Sequence, residues 1–316
     1  MLKKLLLVYN ARSSHHAEIE QGVLAPLRSL KGWMVGKYAI KPTSFDENAA
    51  NLARLVGDGD LVLIAGGDGT ATMAINAVLD SGKDATVAVL GYGNFDDIAN
   101  MLGMRHATAA EGARYLERAI EAFLQGQTQQ LYPLEVKVNQ QHWRYAPCYT
   151  SMGLLAQATT MLEETKIRQQ ANTGKRGAFY FWRKAVLWYL RHHRKNYLPA
   201  GKLNAQPWPA KATDYLAVNG PTLAQIIKGG DWWRDRENFG SSLQRLGNFW
   251  AMSRFGLRSV TKGMPLVQTQ QDVIEFDAPS SVQIHVEGEF EQLSDVKQVE
   301  ITKSKHSIKV ITLPKE

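Results

Sequence analysis

A chain of 316 residues, 44% hydrophobic and 21% charged, carries enough apolar material for two cores, since single cores rarely grow much beyond ~250 residues; a mainly disordered chain is excluded. The single cysteine, Cys148, excludes an intrachain disulfide, the adjacent pairs His15, His16 and His192, His193 lack metal-ligand spacing, and no apolar run reaches the roughly 18 residues of a spanning helix. The net charge of +7 is unevenly placed: residues 165–213 hold eleven cations and no acid while the rest of the chain is net negative, so one region suits an anionic partner.

The first elements alternate. "KLLLVYN" predicts a buried strand, its apolar part too short for the ~7–15-residue core of a signal peptide, and the low cysteine content fits a reducing cytoplasm. Then follow a helix in "HHAEIEQGVLAPLRSL", a strand in "WMVGKYAI", a helix in "SFDENAANLARLV", a strand in "DLVLIAG", a helix in "TATMAINAVLDSG" and a strand in "TVAVLGYG". This grammar predicts a Rossmann-like α/β domain over residues 1–130 with a mostly parallel sheet covered on both faces. The loops after the strands, "YNARSS", "IKPTS", "GGDGT" and "GYGNFDD", then share one rim, where open α/β sheets bind ligands.

Beyond a helix around residues 111–125 the pattern changes to period two, in "LYPLEVKVNQQHWRYAPCYTSM" and again in "VIEFDAPSSVQIHVEGEFEQLSDVKQVEITKSKHSIKVITL". Val- and Ile-rich runs between turn signals predict a mainly antiparallel β-sandwich domain over residues 131–316, interrupted by a basic, aromatic helical insertion near 174–198.

"GGDGT" carries the sharpest chemical signal. Gly66, Gly67 and Gly69 allow a ligand to approach the backbone, and amides at a helix start bind anions. Asp68 does not suit a plain turn: a carboxylate within an anion site repels phosphate unless a cation such as Mg²⁺ bridges the two, as in nucleotide-dependent phosphotransferases.

In this arrangement the chain resembles the diacylglycerol kinase, ceramide kinase and sphingosine kinase superfamily, above all its bacterial soluble lipid kinases. "YNARSS", "GGDGT" and "GYGNFDDIAN" are similar to its three nucleotide-site segments, and "TSMGLLAQAT", "DYLAVNG" and "VEGEF" continue the likeness over the whole chain. The resemblance implies an NAD-kinase-like α/β domain, with ATP and Mg²⁺ meeting a lipid alcohol in the cleft between the domains. It implies nucleotide contacts at Asn10, Ser13, Gly66, Gly67, Asp68, Gly69, Thr70, Asn94 and Asp97, and catalytic carboxylates at Asp68, Glu287 and Glu289, with Glu287 in place of an aspartate. "GGDWWRDRENFGSSL" has no clean match to the family's magnesium loop, so neither Asp231 nor Asp235 is assigned as a metal ligand. The chain departs from the family pattern at Ala11, Ser14, Met73, Asn94 and Asn100, the last three replacing a glutamate, a threonine and an arginine.

In a regular strand Glu287 and Glu289 face the same side, where like charges raise one pKa toward that of a useful base; a solvated hairpin is the alternative. A carboxylate near ~4.3 cannot deprotonate an alcohol near ~15.7 outright, so the proton must move late, and most of the rate must come from positioning and charge neutralisation. In the insertion, Phe179, Trp182, Val186, Tyr189 and Leu190 fall at helical spacing among Arg183, Lys184, Arg191, Arg194 and Lys195. Such a stripe fits either a peripheral contact with an anionic membrane or packing on the β domain; no nucleic-acid module accompanies it. The expectation is thus a cytoplasmic ATP- and Mg²⁺-dependent lipid kinase. Its alternatives are a catalytically weak homologue that binds nucleotide or lipid, motivated by Met73, Asn94 and Asn100, and a soluble-substrate kinase of the NAD kinase type.

Overall fold

The computed structural model describes residues 3–93, 95–104, 108–154, 156–157, 187–188, 198–208, 212–223, 227–245 and 249–314. The stripe Phe179, Trp182, Val186, Tyr189, Leu190 and its cations Arg183, Lys184, Arg191, Arg194 and Lys195 lie outside the described residues, as does Asn94.

Charge-free runs form the centre of the first sheet. β3 (Leu61–Gly66) and β4 (Thr86–Gly91) are buried along their whole length, and β1 (Lys3–Tyr9) through its middle, whereas β2 (Trp33–Ala39) at the edge has a mixed pattern. Strands covered on both faces need no alternation, and each fully buried Leu, Ile or Val contributes roughly 1.5–3 kcal/mol. The order is β2-β1-β3-β4-β18-β5, parallel as far as β18 (Ile308–Val310) and antiparallel at β5 (Gln129–Leu131). After building the second sheet, the chain returns at β18 to extend the first. Two β residues of β18, Ile308 and Val310, are buried there, and a lone apolar strand of this length gains stability only by joining an existing sheet.

The helices start and stop where local chemistry dictates. The expected first helix is α1 (His16–Ile19) running through a π turn (Glu20–Leu24) into α2 (Ala25–Arg28). α3 (Phe45–Ala53) begins at Ser44, whose hydroxyl accepts from Glu47 N at 3.1 Å. α4 (Asp68–Ser81) starts directly from the glycine loop and stops at Gly82 in the left-handed conformation, φ 64°. A short α5 (Asp97–Met101) follows β4, and α6 (Ala109–Leu124) opens with a Thr108/Glu111 capping box.

The second domain is antiparallel, as expected. Its main sheet contains β6 (Leu134–Val138), β7 (Gln141–Ala146), β8 (Tyr149–Gly153), β9 (Gly201–Leu203), β10 (Gln206–Pro207), β11 (Asp214–Val218), β14 (Phe239–Gln244), β15 (Val267–Thr269), β16 (Gln271–Val286) and β17 (Glu289–Lys303). β12 (Thr222–Leu223) and β13 (Ile227–Lys228) pair separately. β16 pairs with β9 near its start, with β8 near its end, and shifts register between Glu275 and Val282. Such an irregularity bends a long strand, which lets one strand serve both halves of a sheet around the core of Tyr215, Phe239, Ile274, Ile284, Val299 and Ile301.

One polar side chain pins the crossover between the sheets and another joins the domains. Lys303 lies where the chain crosses back to the first sheet, donating from Nζ to Tyr132 O at 3.0 Å, to Trp232 O at 2.7 Å and to Asn219 Oδ1, with burial pushing its amine down to about 7. Asn76 on α4 donates to Tyr145 O at 2.9 Å and accepts from Tyr145 N at 2.8 Å, so a helix side chain completes the backbone pairing of β7. Asn76→Ala leaves both Tyr145 groups buried without these partners. We expect a loss of about 2–4 kcal/mol, read as a lower urea midpoint; a change under ~0.5 kcal/mol would mean that water replaces the amide.

Candidate active site

Register places the rim segments side by side. Tyr9 pairs with Ala65, Ala65 with Leu90 and Gly66 with Gly91, so the loops leaving β1, β3 and β4 emerge together. In the first, Asn10 Oδ1 accepts from Arg12 N at 2.9 Å and Ser13 Oγ from His15 N at 3.2 Å; both candidate nucleotide residues shape this turn. The other two loops touch backbone to backbone: a Cβ on Gly93 would lie 2.5 Å from Gly67 Cα, a separation no side chain tolerates. Thr70 lies in the first turn of α4, its side chain beside Gly66.

The opposite wall comes from the tip of the β16–β17 hairpin. The expected regular strand through Glu287 and Glu289 is a two-residue turn instead: Val286 pairs with Glu289, and Glu287 and Gly288 take φ values of 38° and 86°. Two left-handed residues are what a tight twisted hairpin demands, and Gly288 adopts that conformation without strain. The tip is not solvated. A Cβ on Gly288 would lie 3.0 Å from Gly69 N, and the Glu289 carboxylate reaches over Gly69.

Glu287 is 0% exposed. Its Oε2 accepts from the Thr72 hydroxyl at 2.9 Å, and its Oε1 from Tyr149 N at 2.7 Å and from Cys148 N. Burial, then the neighbouring Asp68 charge, pushes its carboxyl up to about 8, against the pull of these hydrogen bonds. The like charge beside Glu287 is thus Asp68 from the other domain, whereas the strand reading placed Glu289 in that role. Asp68 stands at the head of α4, half-buried at the cleft, with Oδ1 accepting from Ile98 N at 3.0 Å. Desolvation raises its carboxyl, to about 8, with Asp97 and then Asp96 adding repulsion.

Sequence reasoning missed the supporting groups. Asp96 Oδ1 accepts from Gly93 N at 2.7 Å, holding the third loop, and the Thr222 hydroxyl donates to Asp97 Oδ1 at 3.3 Å. His285 Nε2 accepts from Gly288 N at 2.9 Å, which ties the hairpin tip to its own strand; burial pushes this imidazole down to about 4, so it stays neutral and able to accept. The spacing of His285 to the "EG" turn was a signal, since only a neutral ring can cap that amide. Thr72, Cys148 and Tyr149 had none. Asp235, left unassigned from sequence, accepts from Glu237 N at 2.8 Å and Asn238 N at 3.0 Å, a local turn that holds its carboxyl below the usual range. Met73 is 3% exposed in the first core.

A glycine loop at the head of a helix faces buried carboxylates across a cleft between an α/β and an antiparallel β domain, an arrangement that suits phosphate binding beside proton-accepting groups. Residues 4–136 match the model of the diacylglycerol kinase catalytic domain. The match lies within the N-terminal α/β domain. A solved structure of a candidate diacylglycerol kinase from Bacillus anthracis strain Sterne superposes with a TM-score of 0.65 at 16% identity, covering 99% of this chain and 98% of the other. A second, of a diacylglycerol kinase from the same strain, gives 0.65 at 15% identity over 99% and 97%. At this identity the likeness is one of fold, and it extends through both domains. No curated protein matches the sequence.

Proposed function

We propose that the chain is an ATP-dependent lipid kinase that transfers the γ-phosphate of ATP to the hydroxyl of a diacylglycerol-like lipid. The observation that carries this reading is the closure of the Glu287–Gly288–Glu289 tip onto the Gly66–Thr70 loop, which sets a proton acceptor of raised basicity beside an anion-binding helix start. The loop amides and the positive end of α4 orient the phosphates, with Asn10 and Ser13 as further candidate nucleotide contacts and Asp97 behind the loop. Glu287 accepts the hydroxyl proton late, once the oxygen is bonding to phosphorus. Its raised basicity narrows the mismatch with an alcohol to roughly eight units, and loss of phosphate charge does the rest.

Among the described residues no three His, Cys, Asp or Glu side chains form a preformed metal cage. Mg²⁺ bound together with phosphate needs only one or two carboxylates, and half-buried Asp68, crowded by Asp97 and Asp96, fits that mode. Asp68 would hold it, and the ion would supply neutralisation of phosphate charge.

The test is a product-identified assay of the purified protein with labelled ATP, Mg²⁺ and a panel of lipid alcohols in mixed micelles. A phospholipid product that Asp68→Asn reduces at least ~10²-fold is expected. Turnover of NAD in place of lipid would put the chain with the soluble-substrate kinases. Nucleotide binding without any turnover would favour a binding protein, a reading that gains from Met73, whose place in the core leaves no carboxylate at the position where the resemblance implies a glutamate.

A further inference from the structure

From residue 238 to 271 the chain carries four cations, Arg245, Arg254, Arg258 and Lys262, and no acid. Three of them share one face of the helix Phe249–Thr261 and its exit: Trp250, Arg254, Arg258 and Lys262 follow at intervals of four, all exposed, with Trp250 at 74%. The helix turns other groups inward; Ser259 is buried, and Phe255 packs with Trp188 on Leu154. None of the three cations has an ion-pair partner among the described residues. A soluble helix face normally mixes both signs and keeps large aromatics inside, so a stripe of one exposed tryptophan and three cations of a single sign needs a different surrounding.

That surrounding is chemically specific. Tryptophan favours the boundary between apolar and wet phases, and each cation near an anionic bilayer adds roughly fivefold in affinity. Two further placements agree. Trp188 belongs to the other acid-free stretch, residues 165–213, so the two basic stretches meet at Leu154. The helix also rests on β13, with Met264 N donating to Lys228 O at 3.0 Å and Lys228 Nζ to Thr261 O at 3.2 Å, and the partner strand β12 carries Thr222, whose hydroxyl reaches Asp97. One hairpin therefore separates the stripe from the buried carboxylates.

We propose that the face formed by Trp250, Arg254, Arg258 and Lys262 docks the protein on an anionic phospholipid surface. This deepens the lipid kinase reading, since a docked face beside the cleft delivers a membrane-borne hydroxyl to it, but its test needs no turnover. The full chain is sedimented with phosphatidylcholine vesicles with and without phosphatidylglycerol, at low and high salt. Binding only to the anionic vesicles and release by salt are expected. Trp250→Ser should weaken binding about tenfold, and the double variant Arg254→Glu/Arg258→Glu on the order of 10²-fold. Circular dichroism and turnover of a short-chain, water-soluble diacylglycerol should match the parent, which separates lost docking from lost folding. Unchanged binding in both variants, or a parent that ignores anionic vesicles yet binds single-stranded RNA through the same cations, would overturn the proposal. Binding that persists while no lipid is ever phosphorylated would overturn the kinase reading alone.

Discussion

Glu287→Gln should leave a folded protein whose phosphoryl transfer is slower by roughly 10²–10⁴-fold, the usual contribution of a positioned proton acceptor. The substitution is close to isosteric. Glutamine Oε1 still accepts from Tyr149 N and Cys148 N, and Thr72 can reverse its hydroxyl to accept from the new amide, so the strained tip with Glu287 at φ 38° keeps its anchors. What disappears is the ability to take a proton. The slow step should therefore change in kcat, with nucleotide affinity unaltered, and the limb of the pH–rate profile near pH 8 should become shallower, since the Glu287 carboxyl must ionise before it can accept and only Asp68 still titrates there in the variant. A variant within about threefold of the parent would assign Glu287 to hairpin structure alone.

The same substitution should remove one pH-dependent contribution to stability. The Glu287 carboxyl sits near its ordinary 4.5 when the chain is unfolded and is pushed up to about 8 in the fold. Between those values the unfolded chain has released a proton that the native chain retains, so the stabilisation is complete below about 4.5 and is lost as pH rises through about 8. The slope approaches ~1.4 kcal/mol per pH unit. Glu287→Gln does not titrate. Denaturation curves of parent and variant should coincide near pH 5 and separate steadily toward pH 8, with the variant the more stable. His285, Lys303 and Asp68, pushed to about 4, about 7 and about 8, titrate in both proteins, so the difference reports Glu287 and its repulsion with Asp68. Parallel curves across this range would show that Glu287 ionises in the folded protein with no penalty. Activity and stability thus pull against each other at one residue, as expected where a charge is buried for chemistry.

Much of the first domain was legible because its signals are local. The switch from the charge-free run of β3 to the helical spacing of α4, with glycines between, requires no distant partner to be recognised, and the same holds for the Ser44 and Thr108 caps. The antiparallel second domain was legible from period two alone. The candidate glycines and Asp68 fell on the cleft because a parallel sheet delivers every strand end to one rim.

The chemistry of "VEGEF" was not legible in the same way. Its residues could form a strand, a solvated hairpin or a buried tip, and the choice depends on contacts far away in sequence: Gly69 above the tip, Thr72 across the cleft, Cys148 and Tyr149 below it. Only that enclosure removes water from Glu287, brings Asp68 beside it and raises its basicity. The return of β18 to the first sheet is decided likewise, by an open edge on β4 that its own sequence cannot reveal. The sequence by itself determined the periods, turns and caps, which rest on each residue's nearest neighbours along the chain. Burial, proton affinity and the pairing of edges belong to the tertiary structure, because they depend on which surfaces meet.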